Sequence, residues 1–126
     1  MSISHWVFYA LILAGIAAFI YTRRSGQIST RQGADLVKSG AMIIDVRTPE
    51  EYSAGHLSQA FSMPVDEIGT ILPTKVRNKD QVILLHCKTG VRSKKARLLL
   101  TGLGYSNVYD MGSYEHAFKI VSGRSL

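Results

Sequence analysis

Two short, nearly continuous apolar runs constrain this chain most: MIIDV at Met42–Val46 and VILLH at Val82–His86. Each is of strand length and too short to stand as a separate helix. Runs of this kind are buried on both sides in a parallel sheet. The stretches between and after them carry helix signals, and strands alternating with helices imply an α/β fold with a central parallel sheet flanked by helices on both faces.

The helix signals are local and specific. Ser29 or Thr30 caps a helix running to about Lys38, with Gly40 as its stop, and Ile28 just before it reads as a short strand. After the first apolar run, Thr48-Pro49-Glu50-Glu51 places a capping hydroxyl, a proline at the first helical position and a glutamate at the third. That is a capping box, so a short helix starts there and ends at Gly55. Phe61–Met63 reads as a short strand, and Val65–Leu72 as a helix whose Val65, Ile68 and Leu72 share one face. Asn78-Lys79-Asp80 turns the chain into the second apolar run, which Cys87 follows directly. Lys88–Arg92 read as a loop with Gly90 near its centre, and Ser93–Thr101 as a helix stopped by Gly102. Beyond Gly104, Val108–Met111 is a further strand and Tyr114–Val121 a last helix.

The N-terminal segment is of a different kind. Met1–Thr22 contains no Asp, Glu, Lys or Arg, and Trp6–Tyr21 is almost continuously apolar. The stretch Ile3–Thr22, at about 1.5 Å per residue, spans roughly the 30 Å hydrocarbon core of a bilayer. Trp6 and Tyr9 near one end and Tyr21 near the other suit its two interfaces. A cleaved signal peptide would begin with positive charge and end in a small-residue cleavage site, whereas here Arg23-Arg24 follow the apolar run. A surface helix would need a polar face, which the segment lacks. The expected organisation is a transmembrane anchor over residues 1–24 and one soluble domain over residues 25–126. By the positive-inside bias Arg23, Arg24 and Arg31 stay cytoplasmic, which predicts a single-pass protein of a bacterial inner membrane with its domain in the reducing cytoplasm.

The remaining stretch, about 100 residues, suffices for one core. The whole chain has 46% apolar and 19% charged residues and no low-complexity run, so the part after the anchor reads as ordinary globular protein. Lys and Arg outnumber Asp and Glu by 15 to 9, for a net charge of +6, which favours anionic partners. No aromatic-interleaved basic stripe or nucleic-acid motif appears, whereas Lys88, Arg92, Lys94, Lys95 and Arg97 all fall close after Cys87. The location of the charge therefore points to a small anion and away from nucleic acid. Only one cysteine is present, so no internal disulfide, CxxC pair or cysteine-based metal site can form, and covalent chemistry at Cys87 must be resolved by a second molecule.

Ligands of open α/β sheets bind outside the carboxyl ends of the strands, and Cys87 lies at such an end, immediately before a helix. A loop curling from strand into helix can turn its N–H groups inward, where they and the helix dipole stabilise negative charge on sulfur. Such a sulfur could attack an electrophilic sulfane sulfur and hold it as a persulfide. A small buried core cysteine is the plain alternative, but it needs no glycine-containing loop beside several cations. Lys88, Thr89, Gly90, Val91, Arg92 and Ser93 thus make up the candidate binding loop. Gly90 lets it turn; Arg92 offers a planar fork to an oxyanion or a surface salt bridge; Lys88 attracts substrate or is simply solvated; Ser93 is a donor to sulfur or a helix cap. His86 is the strand neighbour of Cys87 and points to the opposite face, so it is a poor base for the sulfur.

Two segments resemble the rhodanese family. DVRTPEEYSAGHLSQAFSMP, Asp45–Pro64, is similar to that family's signature D-x-R, E-Y-x-x-G-H-x-x-x-A, then P, and HCKTGVRS, His86–Ser93, is similar to its active-site loop. The resemblance covers nearly all of Ile28–Val121. It implies the rhodanese-type three-layer fold, a persulfide on Cys87, a small sulfur anion such as thiosulfate or another sulfane-sulfur donor, and a thiophilic acceptor such as cyanide, a small thiol or a protein thiol. It implies no metal and no organic cofactor. Asp45 and Arg47 would sit beside the site as supporting residues, while Glu51 and His56 would be structural. The chain departs from the family in offering Phe118 where a tryptophan is common and Gly112-Ser113 where a glycine pair is common. Both are expected to keep the packing or the turn.

Two other readings compete. A cysteine-dependent phosphatase or arsenate reductase needs a C-x5-R loop to surround a tetrahedral oxyanion, whereas here four residues separate Cys87 from Arg92. The shorter loop suits a single sulfur atom. The second is a membrane-anchored interaction module in which Cys87 is incidental.

Overall fold

The structure, a computed structural model, describes the backbone of residues 2–24 and 26–123 and the side chains of residues 4–21 and 26–123. Arg23 and Arg24, which carry the orientation argument, and Ser25, at the expected domain boundary, lie outside the described side chains. Helix α1 runs over Ser2–Arg24 and is followed by α2 (Thr30–Lys38), β1 (Met42–Asp45), α3 (Pro49–Ala54), β2 (Ala60–Ser62), α4 (Val65–Lys75), β3 (Ile83–His86), α5 (Val91–Gly102), β4 (Val108–Gly112) and α6 (Tyr114–Ser122).

The four strands form one sheet in the order β2-β1-β3-β4, and every pairing is parallel. β1 and β3 are the central pair, with Ile43 beside Leu84 and Ile44 beside Leu85. Because successive side chains alternate faces, each strand feeds two cores. Ile44 and Leu85 pack with Ile68 and Leu72 of α4 and Ala96 and Leu100 of α5. Ile43 and Leu84 pack on the other side with Ala117 and Ile120 of α6 and with Leu36 and Val37 of α2. This double burial is why both runs are apolar at consecutive positions. Full burial of each such side chain contributes about 1.5–3 kcal/mol, so the central pair anchors both layers.

Local sequence accounts for most helix starts. Ser29 caps α2 by accepting from the Gln32 N–H at 3.1 Å. Thr48 and Glu51 form the complete capping box of α3, each side chain accepting from the other's backbone N–H at 3.2 Å. The expected boundaries shift by one residue at several strand and helix ends, β2 lying at Ala60–Ser62 and not Phe61–Met63, and they differ further in three places. Ile28 lies in no strand; instead Gln27 bridges Asp110 in parallel and the Ile28 N–H donates to the Asp110 carbonyl at 3.0 Å. α4 continues past Leu72 through Pro73 to Lys75, and at its end the Thr74 hydroxyl donates to the Ile71 carbonyl at 2.6 Å and the Val76 N–H to Leu72 O at 2.7 Å. α5 begins at Val91, not Ser93: Gly90, in the left-handed region at φ 97°, turns the chain two residues earlier.

α1 stands apart. Its stretch Ser4–Tyr21 is long and apolar enough to cross a membrane, and none of it is buried against the rest of the chain.

Candidate active site

Cys87 follows the last residue of β3 and continues that strand's alternation. It belongs with Ile83 and Leu85 to the core under α4 and α5, whereas His86 points to the opposite face. Its own N–H donates to the Gly112 carbonyl at the end of β4, at 3.1 Å. The loop after it is pinned from the same side. The Tyr114 N–H donates to Lys88 O at 3.2 Å, and Thr89 forms an antiparallel bridge with Ser113. Gly112 and Ser113 therefore keep the turn expected of them, with Ser113 also capping α6 by accepting from the His116 N–H.

Three polar groups converge on the sulfur. The Gly90 N–H reaches Cys87 Sγ at 3.0 Å and the Ser93 N–H at 3.4 Å, while Ser93 Oγ lies 3.6 Å away. All three come from the turn into α5 and its first turn, where the helix dipole places positive potential. Cys87, Gly90 and Ser93 are buried, and Lys88, Thr89 and Val91 are exposed around them. Burial alone would suit a core cysteine. Two backbone N–H groups aimed at one sulfur are instead an anion cradle, the arrangement that stabilises a thiolate or a terminal persulfide sulfur, and the Ser93 hydroxyl beside them accepts from the thiol while donating to Gly90 O and Gly112 O.

The structure decides between the alternatives open for two residues of the loop. Ser93 is not a helix cap: Gly90 occupies the cap position, and Ser93, inside α5, turns its hydroxyl inward between Cys87 Sγ, Gly90 O and Gly112 O. Arg92 does not reach back over the sulfur. Its fork is spent on Glu51, with Nη1 to Oε1 at 2.6 Å and Nη2 to Oε2 at 3.1 Å, which ties α5 to α3. The guanidinium holds the Glu51 carboxyl down at about 2, against an ordinary value near 4.5. Glu51 thus serves two structural bonds at once, the capping box and this ion pair, and the partners are 41 positions apart, too far for any local signal to pair them.

Asp45 and Arg47 lie at the same end of the sheet as Cys87 but on its other face. Asp45 is fully buried and accepts three side-chain bonds from Arg47, the shortest from Nη2 at 2.7 Å, plus the Arg47 N–H at 3.0 Å. Arg47 also donates to Gly55 O at 2.8 Å and lies 4.8 Å above the centre of the Tyr114 ring. His86 completes the cluster, edge-on to Tyr114, with Nε2 3.8 Å from Asp45 Oδ2 and Nδ1 3.3 Å from the Cys87 carbonyl oxygen. Burial pushes the His86 imidazole below its usual range, so it is neutral at pH 7. These residues support the strand ends that carry the cradle and touch no sulfur. His56 is structural as well, stacked on Tyr52 at 3.7 Å with Nδ1 2.8 Å from the Tyr52 carbonyl. Phe118 is half exposed and lines a cleft with His56, Leu57 and Tyr114, on the α6 side of the sheet and away from the sulfur.

One further buried acid escaped sequence reasoning. Asp110 in β4 is fully buried, accepts from the Gly112 N–H at 2.7 Å and has its carboxyl pushed up by burial. Among the described residues, no group of three or more His, Cys, Asp or Glu side chains is placed to hold a metal ion.

The comparisons agree with this geometry. The model of the rhodanese-like domain matches residues 29–116. The thiosulfate sulfurtransferase PspE of Escherichia coli is 33% identical over 69 residues, which are 55% of this chain and 66% of that protein. The thiosulfate sulfurtransferase GlpE of Pseudomonas entomophila is 32% identical over 90 residues, 71% of this chain and 81% of that one. The tRNA uridine(34) hydroxylase of Erwinia tasmaniensis is 35% identical over 83 residues, 61% of this chain, but the chain spans only 24% of its length. Among solved structures, a rhodanese with anions from E. coli superposes with a TM-score of 0.59 at 30% identity, covering 61% of this chain and 91% of that one. With a matching domain model over most of its length, the same parallel sheet and a cysteine cradled at the carboxyl end of its central strand, this chain belongs to the rhodanese family.

Proposed function

We propose that the chain is a sulfurtransferase that carries sulfane sulfur on Cys87, and that α1 holds it to a membrane. The convergence of the Gly90 N–H, the Ser93 N–H and the Ser93 hydroxyl on Cys87 Sγ carries the first half of this reading. In the first step the Cys87 thiolate attacks the outer sulfur of thiosulfate; a new S–S bond forms, the bond to the sulfonate sulfur breaks, and sulfite leaves with the electron pair. In the second, a thiolate or cyanide attacks the outer sulfur and the Cys87 thiolate departs. The cradle donors face negative charge in both steps and need no rearrangement between them. The names of PspE and GlpE support the donor class. Arg92, held by Glu51, is not free to wrap a tetrahedral oxyanion, which weighs against a phosphatase or arsenate reductase.

The second half rests on exposure. Trp6 is 74% exposed, Leu11 68% and Phe19 64%, and an apolar helix face of that extent needs a partner other than water. A bilayer around α1, with residues 25–126 as the catalytic domain on its cytoplasmic side, meets that need.

One measurement tests both halves. Intact mass of the full chain purified from membranes is recorded before thiosulfate, after it, and after cyanide. The reading requires a chain that retains residues 1–24, gains about 32 Da of sulfur on exposure to the donor, and loses it to cyanide. Cys87→Ser must abolish the gain. A folded chain that takes up no sulfur from thiosulfate, cysteine persulfide or glutathione persulfide is an interaction module; a chain found shortened at its N-terminus carried a signal sequence.

A further inference from the structure

The cradle leans on a residue far from it in sequence. Gln27 lies just before α2, its backbone bridged to Asp110 beside β4, and the next residue is fastened on both sides. The Ile28 N–H donates to Asp110 O at 3.0 Å, and the Ile28 carbonyl lies 2.9 Å from His116 Nε2. From this fixed backbone the Gln27 side chain reaches across the two glycines that hold Cys87. A Cβ placed on Gly90 would stand 2.9 Å from Gln27 Nε2, and one on Gly112 would stand 2.6 Å from Gln27 Cδ and Nε2 and 2.8 Å from Oε1. Both glycines are in the left-handed region, at φ 97° and 81°. The amide therefore fills the space that side chains on Gly90 and Gly112 would otherwise occupy.

Those two glycines are the cradle's supports. Gly90 donates its N–H to Cys87 Sγ at 3.0 Å, and the Gly112 carbonyl accepts from the Cys87 N–H at 3.1 Å and from Ser93 Oγ at 3.4 Å. Glycine is also the residue whose backbone rotates most freely. With open space behind it, the peptide carrying the Gly90 N–H could turn away from the sulfur. We propose that Gln27 is a positioning residue of the sulfur cradle: its side-chain amide, packed across Gly90 and Gly112, keeps the Gly90 N–H aimed at Cys87 Sγ. This rests on the reading of Cys87 as the sulfur carrier. Only Ser25 and Gly26 separate Gln27 from α1 in sequence, so the N-terminal helix is joined almost directly to the back of the active-site loop.

The test uses the full chain in detergent micelles and the variants Gln27→Ala, Gln27→Met and Gln27→Glu. Two rates are read by intact mass: sulfur uptake from thiosulfate over a range of concentrations, and alkylation of Cys87 by neutral iodoacetamide and by anionic iodoacetate. Gln27→Ala should lower the saturating rate of sulfur uptake about tenfold, the effect of one weakened bond to a charged sulfur, with KM for thiosulfate changed less than about twofold. Gln27→Met, which refills the space, should recover to within about threefold of the parent. Gln27→Glu keeps the shape but sets a carboxylate behind Gly90, so it should slow iodoacetate more than iodoacetamide, a ratio that a merely structural residue would not move. A parent chain that takes up sulfur alongside a Gln27→Ala chain of equal rate overturns the proposal, as does a Gln27→Glu chain whose two alkylation rates keep the parent's ratio. A parent chain that takes up no sulfur overturns the sulfurtransferase reading instead, and the alkylation ratio still decides the role of Gln27. Should Gln27→Ala fail to fold, the Met and Glu variants decide it alone.

Discussion

His86 and Cys87 are neighbours on one strand, yet they serve opposite faces of the sheet with opposite chemistry. On the His86 face, Asp45 and Arg47 spend their bonding on each other, and Tyr114 and His86 close around the pair. On the Cys87 face, the Gly90 and Ser93 N–H groups point at a single sulfur, which itself donates to Ser93 Oγ. A buried ion pair satisfied by its own partners is a brace. A buried sulfur faced by two backbone N–H donors at the start of a helix is prepared for charge. The difference between the faces lies in what the polar groups meet: on one, a charge meets its counter-charge, and on the other, N–H groups meet a sulfur that can become charged.

The largest expected effect tests the brace. Asp45→Asn leaves the Arg47 guanidinium buried without its counter-charge and should cost about 3–5 kcal/mol of stability. Urea unfolding of the full chain in detergent measures it, with sulfur uptake per folded molecule within about threefold of the parent. Loss of uptake without loss of stability would mean that the two faces share one chemistry and would end the comparison.

Ser93→Ala tests the other face and should show the reverse pattern. It removes the hydroxyl beside the sulfur while keeping the α5 backbone and its N–H, so stopped-flow sulfur uptake should fall about ten- to a hundredfold, the range of one bond to a charged group. Stability should change by less than about 1 kcal/mol, since alanine suits the helix interior better than serine. A fall in stability with uptake intact would make Ser93 another brace.

The smallest effect belongs to the link between α3 and α5. The Glu51 carboxyl is held at about 2 in the folded chain by Arg92, below its ordinary value. A depressed carboxyl contributes its full stability above the unfolded value, near pH 4.5, and loses it as pH falls toward 2. Both partners remain about 30% exposed, so the contribution is under about 1 kcal/mol. Comparing urea midpoints of the parent and Glu51→Gln at pH 6, pH 3 and pH 2 should show the parent's full advantage at pH 6, a reduced one at pH 3 and almost none at pH 2. An advantage at pH 2 equal to that at pH 6 would assign the stability of that link to packing.

Much of this was legible from neighbouring residues alone. The capping box of Thr48 and Glu51, the buried strands, the position of Cys87 at a strand end and the opposite aim of His86 each depend on a few consecutive residues, whose geometry is dictated by backbone sterics and the period of a strand. The alternatives left open by the sequence share another character. Arg92, five positions from Cys87, offers its fork to an oxyanion or to a salt bridge, and the partner that decides for the salt bridge, Glu51, stands 41 positions away on α3. Ser93 suits either a helix cap or a contact with sulfur, and the left-handed turn at Gly90, which starts α5 at Val91, decides for the sulfur.

The sequence by itself determined the layered α/β architecture, the apolar N-terminal helix and the single cysteine at a strand end, because burial patterning and residue chemistry act over short stretches. Tertiary structure alone decided which groups surround the sulfur and which do not. Packing brought Gly112 from β4 and Gln27 from the segment before α2 against the loop, and it drew Arg92 to Glu51. Contacts between segments far apart in the chain form only once the sheet and its two helical layers are assembled, and no local spacing encodes them.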